Sequence, residues 1–112
     1  MGHRTTVAEN GKAALEKLRS EVFDAVLMDL DMPGMDGFEA TRRIRTGEAG
    51  GNLARLPVVA MTAHVLKDIV DQCRQAGFTG YVSKPLDIDH LARVLQDVTN
   101  GGKGFDFSTT AN

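Results

Sequence analysis

The chain has 112 residues, of which 42% are hydrophobic and 25% are charged, a composition typical of one globular domain with a modest core. The formal net charge of −2 lacks the basic excess of a nucleic-acid-binding domain, and no apolar run is long enough to span a membrane. Cys73 is the single cysteine, which excludes an internal disulfide, so we expect a cytoplasmic domain that contacts neither nucleic acid nor membrane.

Four predicted strands alternate with four predicted helices. The strands are short runs of β-branched or continuously apolar residues, and the helices repeat apolar residues every three or four positions. In chain order, the elements are the strand 4–8, the helix 11–20, the strand 24–30, the helix 38–45, the strand 57–62, the helix 65–76, the strand 80–83 and a helix that begins after Asp87. This alternation predicts a parallel sheet flanked by helices, in the α/β class. The Gly- and Thr-rich stretch 100–112 is expected to be a tail or linker.

Local signals mark the ends of these helices. Asn10 and Asp87 are predicted N-caps of the first and last helices, and Asp36 with Glu39 forms a capping-box-like pair before the second. Gly77 is expected to end the third helix. The predicted apolar stripes of the last two helices are Leu66, Ile69, Val70 and Cys73 in one, and Ile88, Leu91, Leu95 and Val98 in the other.

Polar residues of three different kinds end three of the predicted strands: Asp29, Thr62 and Lys84. The carboxyl ends of parallel strands meet at one edge of an open α/β sheet, where ligands bind. A carboxylate there can attack phosphorus, while a hydroxyl and an ammonium hold the phosphoryl oxygens. Simpler interpretations exist for single residues, since Asp29 could cap a turn and Thr62 could cap the next helix.

The segments around these residues resemble the receiver domain of two-component response regulators. The motifs are Met-Asp-Leu-Asp-Met-Pro-Gly-Met-Asp-Gly over 28–37, Val-Val-Ala-Met-Thr-Ala over 58–63, and Ala-Gly-Phe followed by Gly-Tyr-Val-Ser-Lys-Pro within 76–85. The similarity extends from about residue 6 to residue 98, so we expect a receiver domain over 1–99. It implies a flavodoxin-like fold. Residues 61–64, Met-Thr-Ala-His, resemble receivers attached to hybrid histidine kinases.

The resemblance also implies a role for each site residue. Asp29 would accept a phosphoryl group from a histidine kinase or a histidine phosphotransfer domain. Thr62 would be the switch hydroxyl, Lys84 the phosphate-binding lysine and Tyr81 the switch aromatic. The backbone carbonyl of Asp31 would bind Mg²⁺ together with Asp29. Such a domain is regulatory and not itself an enzyme, although a parent protein could be a histidine kinase.

The family's first strand and first helix have no counterpart in this sequence. In the family's strand order, 2-1-3-4-5, that strand lies inside the sheet and ends in an acidic pair that binds Mg²⁺. We therefore expect a truncated receiver of about four strands, with weak Mg²⁺ binding and impaired phosphorylation. The stretch 4–8 could fill the empty slot, two chains could pair around the gap as a homodimer, or the missing piece could lie outside this chain.

Two other functions are compatible with these residues. A degenerate receiver could be a phosphorylation-independent binding or dimerisation module. An aspartyl-nucleophile phosphatase would use Asp29 as the nucleophile and Asp31, two residues later, as the general acid. Asp31 could equally form a turn, and Tyr81 could be an ordinary half-buried aromatic. Outside the site, we expect solvated surface residues at His64 and at the cluster Arg42, Arg43 and Arg45.

Overall fold

A computed structural model describes residues 5–8, 10–31, 37–48, 50–64 and 66–99. The elements of this part of the chain are β1 Thr5–Ala8, α1 Gly11–Ser20, β2 Ala25–Asp29, α2 Gly37–Arg45, β3 Val58–Thr62, α3 Lys67–Ala76, β4 Gly80–Ser83 and α4 Ile88–Thr99. A short 3₁₀ turn, Gly51–Leu53, precedes β3. The predicted α/β alternation is confirmed. The predicted cap Asp36 and the predicted tail 100–112 lie outside the described residues.

The four strands form one parallel sheet in the order β1-β2-β3-β4. Each crossover therefore links neighbouring strands in the same direction. Right-handed crossovers of this kind place consecutive helices on one face of the sheet. The first three helices pack on that face, and α4 packs on the other.

β1 occupies the place in the sheet that the family's first strand, which has no counterpart in this sequence, would take. β1 lies directly beside β2, paired from Thr5↔Ala25 to Ala8↔Met28, so slot-filling is the outcome that the sheet shows. As an edge strand, β1 is partly covered by α1, because Lys17 Nζ donates to the Val7 carbonyl at 3.1 Å and to Thr6 Oγ1 at 3.2 Å. A lysine at a strand edge is a common protection against pairing with another chain.

The core has one apolar layer on each face of the sheet, because β2 and β3 are buried on both sides. The layer beneath α1, α2 and α3 includes Met28, Ile44, Val58, Cys73 and Tyr81. The layer beneath α4 consists of Leu27, Val59, Met61, Val82, Val94 and Val98, with Leu91 and Leu95 packed against it. The prediction that Cys73 is a buried apolar residue is confirmed, and burial raises the pKa of its thiol to about 12.

Two residues of the predicted apolar stripes lie outside this core. Leu66 is 63% exposed because α3 begins only at Lys67, which leaves Leu66 in the N-cap position. Ile88 is 73% exposed because it is the first residue of α4, whose buried residues Val94 and Val98 lie further along the helix. The stripes were therefore predicted too close to the helix N-termini.

The predicted helix caps Asn10, Asp87 and Gly77 are confirmed by their geometry. Asn10 Oδ1 accepts from Ala13 N at 2.9 Å, and Asp87 Oδ1 accepts from the backbone N–H groups of Asp89 and His90 at 2.9 and 3.2 Å. Gly77 ends α3 in the left-handed conformation, with φ at 99°.

Arg45 contradicts the prediction that the basic cluster is a solvated face. Its guanidinium donates to the carbonyls of Gly77, Ala54 and Leu56 at 2.7, 3.1 and 2.6 Å, and to Thr79 Oγ1 at 3.1 Å. Arg42 and Arg43 instead pair with Glu39 at the surface. Helical spacing explains the difference, since position 45 follows the buried Thr41 by four residues and therefore lies beside it on the helix surface. Arg45 thus joins α2 to the segments that lead into β3 and β4.

We expect the Gly77→Ala variant to lose about 1–2 kcal/mol of unfolding free energy. A left-handed backbone costs an alanine about that much. In addition, a Cβ at this position would lie 2.8 Å from Arg45 Cγ. Gly51→Ala is the matched control, because nothing lies within 4 Å of its Cβ position. Urea unfolding followed by circular dichroism gives both values, and equal losses in the two variants would contradict the expectation.

Candidate functional site

The three predicted strand-end residues meet at one edge of the sheet. Asp29 is the last residue of β2, Thr62 is the last residue of β3, and Lys84 directly follows β4. Sheet-like pairing continues past the strand ends, because Leu30 N donates to the Met61 carbonyl and Lys84 N to the Thr62 carbonyl, both at 2.9 Å. Lys84 Nζ lies 2.8 Å from both carboxylate oxygens of Asp29. The Asp29 side chain is only 12% exposed, so the pair is partly shielded from water.

Asp31 forms a second carboxylate centre two residues further along. Its backbone N–H donates to Asp29 Oδ1 at 2.9 Å, which closes a local turn. Its side chain extends across to the end of β3, where Oδ1 accepts from Thr62 Oγ1 at 3.0 Å and Oδ2 from Ala63 N at 2.8 Å. Lys84 Nζ is also 3.4 Å from Asp31 Oδ2. The Asp29 side chain therefore caps this turn, whereas the Asp31 carboxylate contacts the predicted switch residue.

Thr62 lies under this network and is 3% exposed. Its hydroxyl donates to Asp31 and accepts from the backbone N–H of His64 at 3.0 Å. The alternative prediction that Thr62 caps the following helix is wrong, since α3 begins at Lys67 and its N-cap is Leu66. His64 itself is exposed, as the sequence led us to expect.

The charges at this edge stabilise one another. Hydrogen bonding to Asp29 raises the pKa of Lys84; partial burial works in the opposite direction but is outweighed, and the charges of Asp29 and Asp31 add to the increase. For Asp31, burial by itself would raise the pKa, but the hydrogen bonds from Ala63 N–H, the Thr62 hydroxyl and Lys84 outweigh burial and lower it. Both side chains are thus held in their charged forms at neutral pH.

This network predicts a specific dependence of stability on acidity. The pKa of Asp31 is lower in the folded domain than its ordinary value of 3.8, so its contribution to stability is present above that value and is lost as the pH falls through the folded-state pKa. The unfolding free energy of the wild type should therefore exceed that of Asp31→Asn by an amount that shrinks below about pH 4. Denaturant unfolding between neutral and acid pH measures it. A difference that stays constant over that range would contradict the assignment.

Tyr81 is 1% exposed, so the expectation that it is half-buried is wrong, while its role as a switch aromatic stays a prediction. It lies on β4 opposite Ala60, two residues before Thr62 on β3. Side chains two residues apart on a strand share a face, so the Thr62 hydroxyl and the Tyr81 ring lie on the same side of the sheet. The ring packs in the layer beneath α1, α2 and α3.

The residues described here do not make a complete Mg²⁺ site. Magnesium requires near-octahedral oxygen ligation. Within the described ranges no group of three or more Asp, Glu, His or Cys side chains is placed to hold a metal ion. Both Asp29 oxygens contact Lys84, and the Asp31 carboxylate is directed at Thr62 and Ala63. The Asp31 backbone carbonyl remains a single further candidate ligand.

Two features of the site were not predicted from the sequence. The first is the Ala63 N–H, a backbone donor to Asp31 that no residue type in the sequence reveals. The second is the direction of the Asp31 side chain, which depends on the path of the turn after β2 and leaves no signal in residue spacing. The Lys84-Pro85 peptide bond is cis. Residues 32–36, which belong to the first motif, lie outside the described part of the chain.

None of the helices described here is long and apolar enough to cross a membrane. The chain is similar to Sensor protein GacS of Pseudomonas syringae pv. syringae, with 43% identity over 95 residues that cover 85% of this chain and 10% of that protein. It is also 43% identical over 117 residues to Histidine kinase 3 of Arabidopsis thaliana, covering 88% of this chain and 11% of that protein. The chain thus spans about a tenth of the length of these relatives.

A solved receiver domain has a similar structure. The receiver domain of sensor histidine kinase PA1611 from Pseudomonas aeruginosa PAO1, described with a magnesium ion coordinated in its active site cleft, superimposes with a TM-score of 0.73 at 27% identity. The superposition covers 89% of this chain and all of that one. A family model, the response regulator receiver domain, matches residues 1–96. The chain therefore belongs to the receiver domain family of two-component signalling.

Proposed function

We propose that Asp29 accepts a phosphoryl group from a histidine kinase or a histidine phosphotransfer domain. The observation that carries the proposal is the contact of Lys84 Nζ with both Asp29 oxygens at the carboxyl edge of the sheet, beside the Thr62 hydroxyl. A partly shielded carboxylate with an ammonium at 2.8 Å is suited to attack phosphorus, since the ammonium can neutralise charge that develops on the phosphoryl oxygens.

The transfer conserves atoms and charge in a single displacement. An Asp29 carboxylate oxygen forms a bond to phosphorus while the bond from phosphorus to the donor's imidazole nitrogen breaks. The electron pair of that bond stays on the imidazole, which takes a proton from solvent. The product is an aspartyl phosphate, whose oxygens can accept from the Thr62 hydroxyl and the Lys84 ammonium. Thr62 is the last residue of β3 and Lys84 directly follows β4, so the sheet fixes the positions of both donors.

Incubation with acetyl phosphate and excess Mg²⁺ tests the proposal by the mass of the intact protein. The wild type should gain one phosphoryl group, and Asp29→Asn should gain none. Asp68→Asn is the matched control, because it removes an exposed carboxylate from the first turn of α3 and should be phosphorylated like the wild type. Phosphorylation of Asp29→Asn at the wild-type rate would refute the assignment of the acceptor.

Weak Mg²⁺ binding forms part of this proposal, since only the Asp29 carboxylate and the Asp31 carbonyl remain as ligands by resemblance. Mutation of groups that only orient the ligands of a metal already lowers its affinity by about 10- to 100-fold, and the missing acids would be ligands themselves. We expect the half-saturating Mg²⁺ concentration of this chain to exceed that of the PA1611 receiver by at least about tenfold. Amide shifts of residues 29–31 in a side-by-side titration measure it, and equal affinities would contradict it.

The extent and assembly of the functional unit are further proposals. We infer that residues 1–99 form the receiver unit and that 100–112 are a tail or linker, which is consistent with the family match over 1–96. Homodimerisation also stays a prediction. Its original basis, a gap inside the sheet, is weakened because β1 pairs directly with β2. Sedimentation equilibrium of the 112-residue chain would decide whether it dimerises.

A further inference from the structure

The end of β3 and Lys84 together form a cradle for an anion. The cradle consists of the Thr62 hydroxyl, the Ala63 N–H and the Lys84 ammonium. All three lie around the Asp31 carboxylate, at 3.0, 2.8 and 3.4 Å. A neutral hydroxyl, a backbone N–H and a cation that converge on two anionic oxygens are the kind of donor set that also binds phosphoryl oxygens.

We propose that the Asp31 carboxylate competes with the phosphoryl group for the cradle. The carboxylate occupies the cradle while Asp29 is unmodified. This inference rests on the proposed function, in which Thr62 and Lys84 hold the phosphoryl oxygens. The Thr62 hydroxyl and the Ala63 N–H each have a single hydrogen, which can be directed to one acceptor at a time. The carboxylate must therefore leave Thr62 and Ala63 when a phosphoryl group on Asp29 reaches them.

Electrostatic repulsion acts in the same direction as the competition for donors. A phosphoryl group carries a charge of about −1.5 to −2 at neutral pH. Asp31 Oδ2 shares the Lys84 ammonium with Asp29 Oδ2, since the two distances are 3.4 and 2.8 Å. A phosphoryl group bound at Asp29 would therefore lie beside a second anion that competes for the same cation. The Asp31 side chain is 23% exposed, so it has access to solvent when it is displaced.

In the unmodified domain, this contact also satisfies a buried hydroxyl group. The carboxylate gives the buried Thr62 hydroxyl an acceptor, as a phosphoryl oxygen would after phosphorylation. Asp31 thus holds the Thr62 side chain towards the acceptor edge without phosphorylation. An exchange of acceptors, and not the first arrival of one, is the event that phosphorylation causes at Thr62.

Binding of inorganic phosphate tests the inference without any covalent transfer. We use the Asp29→Asn background, which removes the nucleophile and its charge, and compare it with Asp29→Asn/Asp31→Ala by the amide shifts of Thr62 and Ala63. The double variant should bind phosphate about tenfold more tightly, since one nearby like charge typically changes such an equilibrium by about one pK unit. Asp29→Asn/Asp68→Ala is the charge-matched control and should bind like the background variant.

The outcome separates this inference from the proposed function. If Asp29→Asn/Asp31→Ala binds phosphate at Thr62 and Ala63 no more tightly than the charge-matched control, Asp31 is not a competitor, even where the wild type is phosphorylated on Asp29. If the alanine variant unfolds, Asp29→Asn/Asp31→Asn replaces it, because this change removes the charge and keeps an oxygen for Thr62. The asparagine variant should gain a smaller part of the tenfold effect, and no gain would overturn the inference.

Discussion

The Lys84→Met variant should be phosphorylated on Asp29 about 100- to 1000-fold more slowly than the wild type. That is the typical cost of removing one preorganised donor from a site where transition-state charge develops. Lys84 is the only residue seen to contact both oxygens of Asp29 among those that the structure describes, at 2.8 Å each. Without its ammonium, the carboxylates of Asp29 and Asp31 would lose the cation that they share.

A lysine elsewhere on the domain provides the control for this experiment. Lys67 begins α3 and is exposed, so Lys67→Met removes the same charge without changing the acceptor edge. Rates of phosphorylation from acetyl phosphate are compared per folded molecule, with folding checked by circular dichroism. Lys84→Arg restores the charge but not the compact ammonium, and it should recover only part of the rate. Equal rates for Lys84→Met and Lys67→Met would show that Lys84 does not contribute to the phosphorylation of Asp29.

The Arg45→Ala variant should lose about 2–4 kcal/mol of unfolding free energy. Four hydrogen bonds from a charged group disappear together, and the carbonyls of Gly77, Ala54 and Leu56 lose a donor in a partly buried position. Thr79 Oγ1 loses one as well, and the same oxygen accepts from Val58 N at the start of β3. The hydrogen bonds that are lost therefore lie in the segments that lead into the neighbouring strands β3 and β4.

The neighbouring arginine gives a stringent comparison. Arg42 is on the same helix, its side chain is 51% exposed, and its Nε lies 3.6 Å from Glu39 Oε1. Arg42→Ala should therefore change the unfolding free energy by no more than about 0.5 kcal/mol. Arg45→Lys keeps the charge but loses the planar fork of donors, so its loss should lie between those of the two alanine variants. Denaturant unfolding measures all three, and similar losses for Arg42→Ala and Arg45→Ala would contradict the buried role of Arg45.

The fold was largely predictable because strong local signals agreed with one another. Continuous apolar runs predicted the doubly buried strands β2 and β3, and the capping residue Asn10 placed the start of α1 correctly. The convergence of Asp29, Thr62 and Lys84 followed from the geometry of parallel strands, which needs no knowledge of side-chain conformation. The family resemblance rested on the same three segments and was confirmed by the family match.

The other features depend on tertiary contacts that residue spacing does not encode. Sequence alone left three outcomes open for the gap in the sheet, because the choice between them depends on the relative free energies of whole sheets. Arg45 could not be separated from Arg42 and Arg43 by composition, although its spacing from Thr41 was an available signal. The Asp31 carboxylate was ambiguous for a related reason. Its direction is set by the turn after β2 and by donors that lie 31 and 32 residues further along the chain.

The most direct test of the central claim is to locate the phosphoryl group chemically. The wild-type chain is phosphorylated by a phosphohistidine donor domain and then treated with borohydride, which reduces an aspartyl phosphate to homoserine. Peptide sequencing by mass spectrometry finds the modified position. The structure predicts homoserine at position 29 and at no other aspartate. Homoserine at position 31 or 36, or none in a chain that has taken up phosphoryl groups, would contradict the account.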